Sequence, residues 1–130
     1  MKPLPYEYYV DIVTKRYFHA VDNFDMATVL GCFHADASLR EMTSNTLHDG
    51  IAGIEKMFTG LFGAHSRLWH GNFVHTVDVA GQAICSQFSV EVTPKDTGCE
   101  VRLENCNRFY LHDGKFRRVF VYMSGANLLK

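Results

Sequence analysis

The sequence predicts an α+β domain, a curved and mostly antiparallel sheet wrapped around three N-terminal helices. Amphipathic helical spacing dominates the first half of the chain, and β-rich stretches separated by turn residues make up the second. At 130 residues the chain suffices for one buried core and hardly for two, so residues 1–130 read as a single domain.

From Pro5 to Val21, apolar groups fall at Tyr6, Tyr9, Val10, Val13, Tyr17, Ala20 and Val21, the spacing of one helical face. Asp22-Asn23-Phe24-Asp25 interrupts that pattern. Asp25 is placed to cap a short second helix that turns Val29, Leu30 and Phe33 inward, and Ala37 to Met42 reads as a brief strand. His48-Asp49-Gly50 reads as a turn into a third helix. Its stripe is Ile51, Ile54, Phe58, Leu61 and Phe62, and Gly63 ends it.

Four long strands follow, at Leu68 to Val79, Gln82 to Thr93, Cys99 to Leu111 and Lys115 to Ser124, each rich in Val, Phe, Tyr, Ile and Thr. Ala80-Gly81, Pro94 to Gly98 and Asp113-Gly114 supply the turns. Such hairpins must bury one face, and the amphipathic helices supply the cover.

Charge excludes several function classes. With 13 Lys+Arg against 14 Asp+Glu the chain has no basic stripe for nucleic acid or anionic lipid, so neither is an expected partner. No apolar run approaches the roughly 20 residues of a membrane span. Met1 to Pro5 lacks the apolar core of a signal peptide, and the expected location is the cytoplasm. Cys32, Cys85, Cys99 and Cys106 form no C-x-x-C pair, and nothing in their spacing requires disulfides. His65, His70 and His75 recur every five residues, which suits neither a helical nor a same-face strand pair of metal ligands, so no metal site is expected.

Several segments together resemble a known family. Ala20 to Asp25 followed by Val29 to Ala37 is similar to the opening of the SnoaL-like group of the nuclear transport factor 2-like superfamily. Gly50-Ile51-Ala52-Gly53-Ile54 resembles that group's third-helix start, Leu68 to Asn72 its entry to the first long strand, and Asp113-Gly114-Lys115-Phe116 its turn before an aromatic. The resemblance implies a cone-shaped fold with a deep pocket, usually dimeric. Its enzymes include polyketide cyclases, scytalone dehydratase, bile acid dehydratase, hexachlorocyclohexane dehydrochlorinase and ketosteroid isomerase, which act on compact hydrophobic molecules without a cofactor.

The resemblance also implies site residues. Several eliminating relatives use an aspartate ending helix one with a histidine opening the strand after helix three, and Asp22 and His70 occupy those places. Tyr17 matches a substrate-contacting tyrosine. Histidine is a natural general base, and a carboxylate on its other ring nitrogen fixes the tautomer and stabilises the imidazolium. Phe18, Phe24, Phe58, Leu61, Phe62 and Trp69 are expected to wall the pocket. If His70 points inward, strict alternation sends Asn72, Val74 and Thr76 inward too, and turns Phe73, His75 and Val77 outward, where Phe73 and Val77 support a homodimer. Glu91 is placed near the pocket's open end, and Asn105 and Asn107 share a face toward it.

The expected function is therefore a cofactor-independent lyase, cyclase or dehydratase with a small hydrophobic substrate. The blander alternative is a binding or dimerisation module in which Asp22 merely finishes its helix and Tyr17 is a core residue. A third is a small supporting subunit of an oxygenase, similar to dioxygenase beta subunits, which expects a broad apolar outer sheet face. An isomerase ranks below elimination, because the stretch around Asn105 offers only Glu104, on the opposite parity.

Overall fold

The computed structural model describes residues 4–130. Residues 1–3, part of the stretch read for a signal peptide, lie outside the described residues. The first helix, α1, is continuous through Tyr6–Asp11, a π-helical stretch Ile12–Phe18, and His19–Asp22. It buries Tyr9, Ile12, Val13, Tyr17, Phe18, Ala20 and Val21. Helix α2 spans Met26–Gly31, and the Asp25 side chain caps it by accepting from the Thr28 N–H at 3.2 Å. Helix α3 spans Gly50–Ala64. Phe33, expected on the second helix, instead opens the first strand.

A six-stranded sheet follows the order β2-β1-β6-β5-β4-β3. Its strands are β1 Phe33–Glu41, β2 Thr46–Asp49, β3 His65–Asp78, β4 Ala83–Pro94, β5 Val101–His112 and β6 Lys115–Met123. All pairings are antiparallel except β1 with β6, where Leu39 lies beside Val119 and Glu41 beside Val121. The expectation of a turn at His48-Asp49 is corrected, because both belong to the edge strand β2, which hairpins back on β1. A four-residue edge strand carries too little pattern to distinguish from a turn.

The sheet's concave face packs on α1 and α3 around Leu39, Ile84, Phe88, Phe109, Phe116 and Val119. On this face one irregularity matters most. Gly71 pairs with Ser89, but Val74 pairs with Gln87, so β3 carries one extra residue between them. Asn72 takes up that residue at φ 56, a left-handed conformation that Asn tolerates better than most side chains. Gly71 lets the strand fold tightly beneath the Trp69 indole, since a Cβ there would lie 2.2 Å from Trp69 Cζ2.

The bulge reverses the expected facing of the rest of β3. Phe73 turns inward and packs on Phe18 and Phe88, at 5.5 and 5.7 Å between ring centres. Val74 is 64% exposed on the convex face. His75 follows Phe73 inward, and Val77 packs against the core. Phe73 and Val77, expected to support a dimer from the outside, therefore face the helices.

Candidate active site

Asp22 ends α1 and does not cap the turn that follows. Its carboxylate instead reaches β3, where Oδ1 lies 2.6 Å from His70 Nδ1 and Oδ2 accepts the His70 backbone N–H at 3.0 Å. The strand end and the ring are thus held by one anion. A carboxylate only accepts, so Nδ1 carries a proton, and in the neutral ring Nε2 presents a lone pair. The pair is mostly buried, with side-chain exposures of 11% for His70 and 21% for Asp22. Phe18 stacks on the imidazole at 4.5 Å and 25°, and Phe88 leans on it at 5.7 Å. These contacts fix the ring in a plane set by α1 and β4.

His70 lines a cavity of about 40 Å³ together with Tyr17, Phe18, Val21, Phe58, Leu61, Leu68, Phe88, Val90, Val92, Asn105, Asn107, Val121, Met123, Leu128 and Leu129. Among the described residues, no lysine or arginine contributes to this wall. Among the described residues, the buried Asn105 and Asn107 Oδ1 atoms have no hydrogen-bond partner. An unpaired buried amide costs about 1–3 kcal/mol, which a polar group on a ligand would offset.

Tyr17 is 3% exposed and ringed edge-on by Phe33, Phe58, Phe109 and Phe116. Burial, and secondarily the neighbouring Cys32, pushes its hydroxyl well above the usual phenol range. It stays protonated and serves better as a hydrogen-bond donor than as a source of protons.

The expected pocket residues divide between those the fold brings together and those it separates. Phe18, Phe58, Leu61, Asn105 and Asn107 line the cavity with His70 and Tyr17. Phe24 and Phe62 do not, because they pack on each other at 5.2 Å. Trp69 and Glu91 face each other across the β3–β4 register on the convex side, where Glu91 pairs with Arg67 at 3.1 Å and Arg102 at 3.3 Å. Charge partners outside the cone thus claim Glu91, and strand parity carries Trp69 with it. Asn72 is turned outward by the bulge and donates to Ser89 Oγ at 3.3 Å.

Sequence reasoning missed Phe88, Val90 and Val92, although their alternation on β4 marks one buried face. It also missed Leu128 and Leu129, which follow the last strand and carry no periodic signal. No group of three His, Cys, Asp or Glu side chains able to hold a metal occurs among the described residues. No helix among them is long and apolar enough to cross a membrane.

A helical cover over a curved, open mixed sheet, with a pocket between them, defines a cone of the ketosteroid-isomerase-like class. The chain belongs to the SnoaL-like domain family, whose model matches residues 14–119. No curated protein matches it. Among solved structures it is similar to a candidate polyketide cyclase from Xanthomonas campestris pv. campestris, with TM-score 0.81 and 18% identity over 94% of this chain and 92% of that one. A candidate aromatic ring hydroxylase from Novosphingobium aromaticivorans superposes with TM-score 0.77 and 25% identity, covering 95% and 93%. An epoxide hydrolase from M. tuberculosis follows with TM-score 0.74 and 14% identity, covering 91% and 83%.

Proposed function

We propose that this protein is a cofactor-independent lyase, cyclase or dehydratase in which the Asp22–His70 pair acts as general base on a compact, neutral, hydrophobic substrate. One observation carries the reading: Asp22 commits both carboxylate oxygens to His70, and His70 lines the cavity with only Nε2 left unbonded. In this reading Nε2 takes a proton from a carbon next to a carbonyl, while Asp22 holds the resulting imidazolium. Tyr17 donates to the oxygen on which charge gathers, and Asn105 and Asn107 receive the substrate's other polar groups. In an elimination the departing hydroxyl receives its proton from the imidazolium or from a bound water. Apolar walls without a lysine or arginine among the described residues favour a neutral ring over a phosphate or carboxylate.

The supporting-subunit alternative expects a broad apolar outer face. Around Glu91 that face instead carries an ion-pair network joining Arg67, Glu100, Arg102 and Glu104. The enzyme reading is tested by screening small cyclic hydroxyketones for loss of water by ultraviolet absorbance, then repeating any conversion with His70→Gln. Turnover that survives this change within tenfold overturns the base assignment. Ligands that bind without conversion support the binding-module alternative.

A further inference from the structure

The cavity is too small for the ring it is proposed to receive. About 40 Å³ holds a water or two, whereas an apolar hole of about 150 Å³ accommodates benzene. Part of the wall must move. Tyr17, Phe58, Val90 and Asn107 sit on helices or on hydrogen-bonded strands, whose backbones cannot withdraw without breaking those elements. Leu128 and Leu129 belong to no helix or strand.

The segment that carries them forms one side of the cavity wall. Past Met123 the chain bends through residues 124–126, with Gly125 so close to β5 that a Cβ would lie 2.4 Å from Leu103 Cδ2. It then reaches the β1–β2 side, where Asn127 Nδ2 donates to Thr46 Oγ1 at 3.4 Å and the Leu129 carbonyl accepts from His48 Nε2 at 2.7 Å. The Leu129 N–H is satisfied within the segment by Asn127 Oδ1 at 2.7 Å. Two side-chain hydrogen bonds to β2 latch it, against the backbone ladder that holds each strand. A groove of about 600 Å³ lies on its other side, between Ala126, Asn127 and Leu128 of the segment and Gly60, Ala64, Pro94 and Thr97, and leaves room for the segment to shift.

We infer that residues 125–129 form a strap that plugs the pocket, and that substrate enters by displacing Leu128 and Leu129. The inference rests on reading this pocket as a small-molecule site and is independent of the base. Affinity is then reduced by the fraction of molecules with the strap down, so loosening the latch raises both apparent affinity and association rate.

Indole, a neutral two-ring probe, tests this by calorimetry and stopped-flow fluorescence. It is titrated into the wild type, a latch variant (His48→Ala with Asn127→Ala) and a plug variant (Leu128→Ala with Leu129→Ala). Apparent affinity and association rate are expected to rise at least tenfold in both variants, a population shift of about one decade. In the wild type, saturating indole is expected to speed hydrogen exchange at the Leu129 amide and leave β6 amides unchanged. Equal affinities in all forms, no binding to any form, or slower exchange at Leu129 on binding overturns the strap. If the plug variant fails to fold, the latch variant and the exchange measurement decide. The latch substitutions are also made in His70→Gln, where the gain is expected to persist. A working strap on a wild type that converts none of the screened compounds sinks only the enzyme reading, and turnover indifferent to the latch sinks only the strap.

Discussion

His70 and His75 stand on the same strand, both on its concave side, in different surroundings. His70 has a carboxylate on Nδ1 and a cavity beyond its ring. His75 has the Ser86 hydroxyl 2.8 Å from Nδ1, a stacked Phe73 at 5.6 Å, and no place in the cavity wall. Burial lowers the affinity of His75 for a proton. An anionic partner and open volume, more than the imidazole itself, distinguish a candidate base from a core histidine.

The sharpest way to break this contrast is to make the His70 corner resemble the His75 one. Asp22→Asn keeps the shape but replaces the anion with an amide, which can donate to Nδ1 and move the ring proton to Nε2. Turnover of any substrate found by the screen is expected to fall about 10²- to 10⁴-fold. ¹⁵N NMR of the ring checks the cause, since the proton is expected on Nδ1 in the wild type and on Nε2 in the variant. An unchanged tautomer with intact turnover would refute the role of Asp22.

The two histidines share a face only because of the bulge, and this is where sequence reading met its limit. Alternation is a local rule, and one extra residue reverses it for everything downstream. The helices, the long strands and the Asp22–His70 meeting were legible, because amphipathic stripes and chain order survive small errors of register. The facing of Phe73, His75 and Val77 was not, since it depends on Asn72 adopting a left-handed conformation beside a glycine that Trp69 covers. Glu91 was misplaced although local alternation sets its facing: Val90 and Val92 fill the buried face, so Glu91 turns outward, where it meets Arg67 and Arg102. Leu128 and Leu129 reach the pocket through a path no periodic pattern announces.

The bulge itself can be challenged. Asn72→Val places a β-branched side chain at φ 56 and is expected to cost about 1–2 kcal/mol in urea unfolding, whereas Asn72→Gly is expected to stay near the wild type. Equal stability of the Val and Gly variants would show that the strand relaxes out of the left-handed conformation. Phe73 would then lose its place against Phe18 and Phe88.

A milder substitution separates stability from binding on β5, two strands away. Asn107→Leu keeps the side chain's approximate size and removes a buried amide oxygen that has no partner. Unfolding free energy is expected to rise by about 1 kcal/mol, because an unmet desolvation cost disappears. Affinity for a ligand with polar groups is expected to fall at the same time. A loss of stability instead would mean that the amide is already satisfied in solution.

The smallest effect concerns the acid limb of stability. The proton affinity of His75 is lowered in the folded state, so below the ordinary histidine value of about 6.5 the unfolded chain binds a proton that the folded chain resists. Stability is therefore fully present above that pH and is lost as pH falls toward the depressed value. His75→Gln removes this linkage. Chemical denaturation between pH 7.5 and pH 5, an experimental window chosen to span about 6.5, is expected to show a shallower loss for the variant than for the wild type. The difference is expected to vanish at the upper end. Parallel pH profiles would mean that the Ser86 contact offsets the burial of the ring, and the two histidines would then differ in geometry alone.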